Sequence, residues 1–245
     1  MAVRVAKQAK PKRKPRAKAS SPPLRKRLTR WGVRAGLGLV VLAVLIIAMH
    51  SVVRPWGGSY MAGERARLGR IDRTWVPMGE MAPVMARSVV AAEDSNFCLH
   101  WGFDMNAIRH AIDGGARRGG STVSQQVVKN VYLWHGRNYV RKALETVITP
   151  VVELLWSKRR ILEVYLNVAE FDEGVFGIEA AAWHYFGVAP KDLNADQAAR
   201  LAAILPAPKD RSASRPSDFV LRRAAAIRDG AATIRKDGRA ACFED

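Results

Sequence analysis

The sequence predicts a mainly α protein, a helical domain set behind one transmembrane helix. Three observations point there. An uncharged run of 19 residues, Ala35 to Val53, directly follows a basic segment. Beyond it, apolar residues recur at helical spacing between Gly-rich breaks, while alternating strand patterns are scarce. Helix-start signals stand at Pro83, at Thr122 and at Asp192–Gln197.

The anchor comes first in the chain. Residues 1–53 carry 13 Lys/Arg and no acid, whereas residues 54–245 carry a net charge of only +5 out of the total +18. Most of the basic excess thus lies in a Pro/Lys/Ala tail, residues 1–34, too polar to build a core. As a helix, residues 35–53 reach roughly 28 Å, close to the hydrocarbon thickness of a bilayer. A buried core helix would need no such basic flank, and a cleaved signal peptide would have a shorter one and a small-residue cleavage site. Positive-inside bias places the tail in the cytoplasm and the chain from about residue 54 outside, with Trp31 and Trp56 at interfacial positions. Topology accounts for the charge, so no nucleic-acid partner is expected.

Residues 54–80, rich in Gly and Pro, read as a linker, and 81–245 as one domain. Pro83 opens a helix with Met85, Val89 and Ala92 on one face. Loop signals return at Gly114-Gly115 and Gly119-Gly120, and helical spacing resumes over Thr122–Asn130 and Val140–Val168. In the latter, Leu144, Val147, Ile148, Val151 and Leu155 form a stripe expected to be buried, and Pro150 is expected to kink or divide the helix. Asp192-Leu-Asn-Ala-Asp-Gln marks a capped start before Ala198–Leu205, which stops at Pro206 and Pro208; Phe219–Ile234 reads as a last surface helix. The two cysteines, Cys98 and Cys242, belong to no Cys-x-x-Cys pair; they are free to pair in an oxidising compartment, at a distance the sequence leaves open.

Five segments carry candidate chemistry. Glu93 and Asp94 end an apolar helix, and a carboxylate between low-dielectric walls beside a like charge suits a general base; the same spacing also fits a solvated helix end. Gly119-Gly-Ser-Thr-Val-Ser-Gln-Gln-Val-Val-Lys-Asn130 joins a glycine turn to a Thr122/Gln125 capping box, with Ser121, Gln126, Lys129 and Asn130 as polar groups. Such a helix start can hold an anion, or be an ordinary capped helix. Arg137, Arg141, Lys142 and Glu145 form a basic cluster around one acid, readable as a surface ion pair or as a clamp on a phosphorylated leaving group. The segments Lys158-x-x-Ile-Leu-Glu-x-Tyr-Leu-Asn167 and Ala181-Ala-x-x-Tyr-Phe-Gly187 look structural. The five histidines show no metal-ligand spacing, so no metal site is expected.

In order and spacing, these five segments closely resemble the motifs of the glycosyltransferase family of peptidoglycan polymerases, over roughly residues 81–208. The absence of Ser-x-x-Lys and the end at residue 245 point to its monofunctional subgroup rather than to bifunctional penicillin-binding proteins. The resemblance implies a lysozyme-like, mostly α fold with a small membrane-proximal subdomain at about residues 103–118. It implies lipid II and the growing glycan chain as substrates, with β-1,4 bonds formed by inversion and undecaprenyl pyrophosphate released, at the cell inner membrane with the catalytic domain in the periplasm. Glu93 and Glu145 carry over as the catalytic carboxylates. Ser121, Gln126, Lys129, Asn130, Arg137, Arg141 and Lys142 carry over as substrate or pyrophosphate ligands. No cofactor is implied; stimulation by divalent cations and contacts with cell-wall or division machinery are not legible in the residues. The rival expectations are a membrane-anchored lysozyme-like or lytic enzyme, which also uses two carboxylates, and a non-catalytic tethered scaffold.

Overall fold

A computed structural model describes residues 24–113, 120–136 and 138–244. Most of the basic tail, residues 114–118 of the expected membrane-proximal subdomain, and Arg137 lie outside the described residues. The helices are α1 (Leu24–His50), α2 (Ser59–Leu68), α3 (Pro83–Glu93), α4 (Met105–Asp113), α5 (Val123–Tyr132), α6 (Tyr139–Leu155), α7 (Lys158–Val168), α8 (Gly177–Phe186), α9 (Ala195–Ile204) and α10 (Asp218–Lys236). One short antiparallel hairpin, β1 (Glu170–Asp172) with β2 (Val175–Phe176), precedes α8. The mainly α expectation holds.

The chain divides into two units. Residues up to Ala43 make the first, which is exposed helix throughout its described part. Helix α1 begins in the basic flank and stops at His50, so the membrane-length helix is Arg27–His50 and the last three residues of the expected span 35–53 lie beyond it. There the backbone closes into a turn, with Val53 N–H donating to Met49 O at 2.9 Å. The second unit, from Val44, includes the last two turns of α1. Trp156 Nε1 donates to Ile47 O at 2.8 Å, and the Arg160 guanidinium donates to His50 O and Val53 O. These bonds satisfy carbonyls that a helix end leaves without partners.

The stretch expected as a linker is part of the domain. Residues 59–68 form α2, which packs on α5, and Met61, Val76 and Met78 are buried in the core. A Cβ at Gly58 would lie 1.7 Å from Asn130 O, so only glycine lets this segment come so close to α5.

Helix α3 forms as its apolar spacing requires, with Met85 and Val89 wholly buried against α9 and α10. Within the expected capped start, Asn194 caps α9 through a capping box with Gln197. Helix α10 differs from its surface reading. Val220, Ala224, Ile227, Ala231 and Ile234, at spacings of three and four, bury one face on α3 and α9.

Helix α6 keeps only part of the expected stripe: Ile148, Val151 and Leu155 are half-buried against the core, but Leu144 and Val147 are not. Val147 is 69% exposed and Leu144 40%, while Glu145, Thr149, Val152 and Glu153 are buried. The polar face turns inward because each group on it finds a partner. Glu145 pairs with Arg141 and Lys142; Glu153 pairs with Lys158 at 2.8 Å and accepts from Ser124 Oγ. Nor does Pro150 divide the helix. It lies on the exposed side, where the carbonyl freed by its missing N–H is not enclosed by the core, and the break comes instead at Ser157, which caps α7.

Cys98 and Cys242 form a disulfide with Cα atoms 5.7 Å apart. Phe243 packs on Phe97, and Arg239 donates to Ser95 O at 2.9 Å, so the C-terminal segment is fastened to the turn that follows Glu93.

Candidate active site

Glu93 is the last residue of α3, and its neighbour fixes where that helix ends in space. Asp94 is buried rather than exposed. One of its oxygens accepts the Val123 N–H at 3.0 Å, an otherwise unpaired amide of the first turn of α5. The other lies 2.8 Å from His100 Nε2. One carboxylate thus ties the end of α3 to the start of α5 and leaves Glu93 facing α5.

Along α5, burial follows the helical period. Val123, Ser124, Gln125, Val127 and Val128 are buried, whereas Gln126, Lys129 and Asn130 are half-buried on one strip. The Thr122/Gln125 capping box is present as expected. From the strip, Gln126 Nε2 donates to Glu93 Oε2 at 2.9 Å, and Tyr165 OH reaches Gln126 Oε1 at 3.4 Å. Burial pushes the Tyr165 phenol well above its usual range, and the Glu93 charge adds to that. The Glu93 side chain is 14% exposed and opens onto a cleft of about 160 Å³, whose walls include Asp104, Gly120 and Ser121.

The basic side of the site comes from α5 and α6. Lys142 Nζ donates to Ser121 Oγ at 3.3 Å and pairs with Glu145, which also accepts from Arg141 NH1 at 2.6 Å. Glu145 is therefore no surface partner. It is buried and holds two cations in place. Lys129 has its pKa lowered, chiefly because burial disfavours the ammonium; Glu145 and Glu93 oppose that shift, while Arg141 and Lys142 add to it. Both predicted carboxylates and both described α6 cations therefore act on one lysine.

Asn130 turns elsewhere, with Oδ1 at 3.1 Å from His135 Nε2, and His135 stacks on Tyr60 with ring centroids 3.7 Å apart. Desolvation, and then the charges of Lys129, Arg141 and Lys209, push the His135 pKa down to about 4. Arg137 lies outside the described residues. Among the described residues, no group of three His, Cys, Asp or Glu side chains is placed to hold a metal ion.

Sequence reasoning missed Arg223. It reaches from α10 to within 3.9 Å of Glu93 Oε1, donates to Ala92 O at 3.5 Å, and has a buried Nε without a partner. Nothing in the spacing between residues 93 and 223 announces this pairing; only the packing of α10 on α3 creates it. Lys158 was read as structural. It donates to His100 O at 2.7 Å and lies 4.5 Å from the centre of the Phe97 ring, below the site.

The arrangement places an acceptor for a proton, Glu93, in one neighbourhood with cations able to receive a developing negative charge. The chain matches the family model described as Transglycosylase over residues 62–231. It is similar to a biosynthetic peptidoglycan transglycosylase of Jannaschia sp. (strain CCS1), 63% identical over 216 residues, covering 88% of this chain and 90% of the relative. Its similarity to the biosynthetic peptidoglycan transglycosylase of Pseudomonas fluorescens (strain SBW25) is 47% over 208 residues, covering 81% and 87%. For that of Rhodospirillum centenum (strain ATCC 51521 / SW) it is 45% over 213 residues, covering 85% and 92%.

Proposed function

The chain belongs to the transglycosylase family as a monofunctional peptidoglycan transglycosylase, and from that membership we propose that it polymerises lipid II. The observation that carries the reading is the Gln126 bond to Glu93, one turn before Lys129 on the same helix. It sets the Glu93 carboxylate against the helix that carries Lys129, which supports a base and a leaving-group cation acting together.

In this reading, Glu93 takes the proton of the acceptor's GlcNAc 4-hydroxyl as that oxygen attacks C1 of the donor MurNAc. The new O–C1 bond forms as the bond from C1 to the pyrophosphate oxygen breaks, and its electron pair leaves with undecaprenyl pyrophosphate. Attack opposite an α-linked leaving group gives a β-1,4 bond with inversion. Lys129, Arg141 and Lys142 stabilise the charge that collects on the pyrophosphate, with Arg137 assigned the same task from its motif. Ser121 and Gln126 supply polar contacts; Asn130 is assigned the same task from its motif alone, since its side chain turns to His135. Glu145 acts through the cations that it fixes, since both its oxygens are occupied by Arg141 and Lys142. The cations weigh against the lytic alternative, whose acid only has to protonate a sugar oxygen and has no use for a phosphate clamp.

The anchor keeps the site at a bilayer surface, where a substrate with a long lipid tail stays. A basic flank before α1 orients the N-terminus to the cytoplasm and the catalytic domain to the periplasm across the inner membrane. The exposed apolar face of α6, with Val140, Val147 and Leu154, suits contact with lipid. Incubating the detergent-solubilised full chain with lipid II tests the reading. Glycan polymer is expected from the wild type and not from Glu93→Gln of unchanged fold. Shortening of pre-formed glycan, without polymer, would favour the lytic enzyme.

A further inference from the structure

A second cleft, of about 380 Å³, opens beside α2 and shares no lining residue with the Glu93 cleft. Its walls include Trp56, Met61, Arg65, Arg70, Ile71 and Arg73, and no acidic residue is among them. We propose that it holds the headgroup of an anionic phospholipid in the leaflet that the catalytic domain faces. The inference goes beyond the polymerase reaction; it shares with that reading only the membrane-spanning α1.

Depth is the first argument. The Trp56 ring meets His50, the last residue of α1, edge-on with centroids 5.8 Å apart, and Trp56 itself is 79% exposed. An exposed indole at the end of an apolar helix marks the headgroup layer, where Trp is enriched. The cleft therefore begins where lipid phosphates lie.

Charge is the second. Arg73 is held rigidly, donating to Pro55 O at 2.9 Å, to Trp56 O at 2.8 Å and to Asn167 O at 3.3 Å. Arg65 and Arg70 differ: both are exposed, and among the described residues neither side chain has a hydrogen bond or ion pair. Guanidinium forks suit phosphate oxygens, and two of them await partners here. The apolar walls, Met61 and Ile71, match the glycerol and first methylenes of a lipid rather than a fully hydrated ion.

The test uses the full chain in dodecyl maltoside micelles doped equally with phosphatidylglycerol and phosphatidylcholine. Lipid retained through gel filtration is identified by mass spectrometry. Wild type is expected to retain phosphatidylglycerol over phosphatidylcholine by about tenfold, and Arg65→Ala/Arg70→Ala to bring the ratio near one. A control pair on exposed positions of α10, Arg222→Ala/Arg235→Ala, is expected to keep the preference. No preference in the wild type, or an unchanged preference in the Arg65/Arg70 variant, overturns the proposal. So does full displacement of the lipid by millimolar glycerol 3-phosphate, which would mark a free-phosphate site. The Arg65/Arg70 variant is expected to polymerise lipid II in detergent at the wild-type rate, so failure of the headgroup site and failure of the catalytic reading are read separately.

Discussion

Gln126 Nε2 lies 2.9 Å from Glu93 Oε2, and this single bond joins the end of one helix to the polar strip of another. The amide donates to the carboxylate and so fixes the rotamer of the proposed base without supplying a charge of its own. Gln126→Ala is expected to lower kcat for lipid II polymerisation by about tenfold and to leave KM and thermal stability nearly unchanged. Glu93→Gln is expected to cost about 10²–10⁴-fold. Equal rates for wild type and Glu93→Gln would remove Glu93 from the base role.

Lys129 gives the pH dependence its sign. Its ammonium is desolvated, so its pKa lies below the ordinary lysine value and the proton is lost at lower pH than from a solvated lysine. The alkaline limb of kcat/KM is expected to fall below the range of a free lysine. Lys129→Arg, whose guanidinium stays charged, should move that limb upward even if the overall rate drops. A limb that stays put in the arginine variant would separate it from Lys129.

Glu145 holds two cations while almost wholly buried. Glu145→Gln keeps the shape and removes the charge, leaving the neighbouring charges of Arg141 and Lys142 to repel each other. A loss of about 2–3 kcal/mol in unfolding free energy is expected, together with a fall in polymerisation. Retained activity at a lowered Tm would make Glu145 a structural residue alone.

The orientation of α6 can be checked by stability alone. Val147→Ser, on the exposed face, is expected to change unfolding free energy by less than about 0.5 kcal/mol. Val152→Ala, on the buried face, should cost about 2 kcal/mol. The reverse order in chemical denaturation would restore the apolar stripe to the core.

The Cys98–Cys242 disulfide closes a long loop, with 144 residues of sequence separation, and fastens the C-terminal segment beside the turn after Glu93. Cys98→Ser/Cys242→Ser is expected to lower unfolding stability by about 3–5 kcal/mol, and dithiothreitol to do the same to the wild type. Identical melting with and without reductant would show that the bridge is not formed in the purified protein.

Much of the fold, and the helix starts that carry the candidate site, were legible because they are local. Thr122 and Gln125 announce the start of α5, and the three- and four-residue spacing of Gln126, Lys129 and Asn130 already puts them on one strip. The apolar run before residue 53 announces a membrane-length helix from composition alone. Helix α6 was misread at Leu144 and Val147 because periodicity reports which residues share a face, not how far that face turns toward the core. Ser124 on α5 and Lys158 on α7, together with its own Arg141 and Lys142, drew Glu145 and Glu153 inward.

The residues alone determined an apolar span behind a basic tail, a helical domain, and five segments that resemble the motifs of a peptidoglycan glycosyltransferase. Tertiary structure decided what lies beside what: Asp94 joining α3 to α5, Arg223 brought to Glu93 from 130 positions away, and the expected linker taken into the core through Met61. The physical reason is range. Caps and helix faces follow from neighbours within a turn or two of chain, whereas ion pairing and burial depend on surfaces that meet only when distant helices pack.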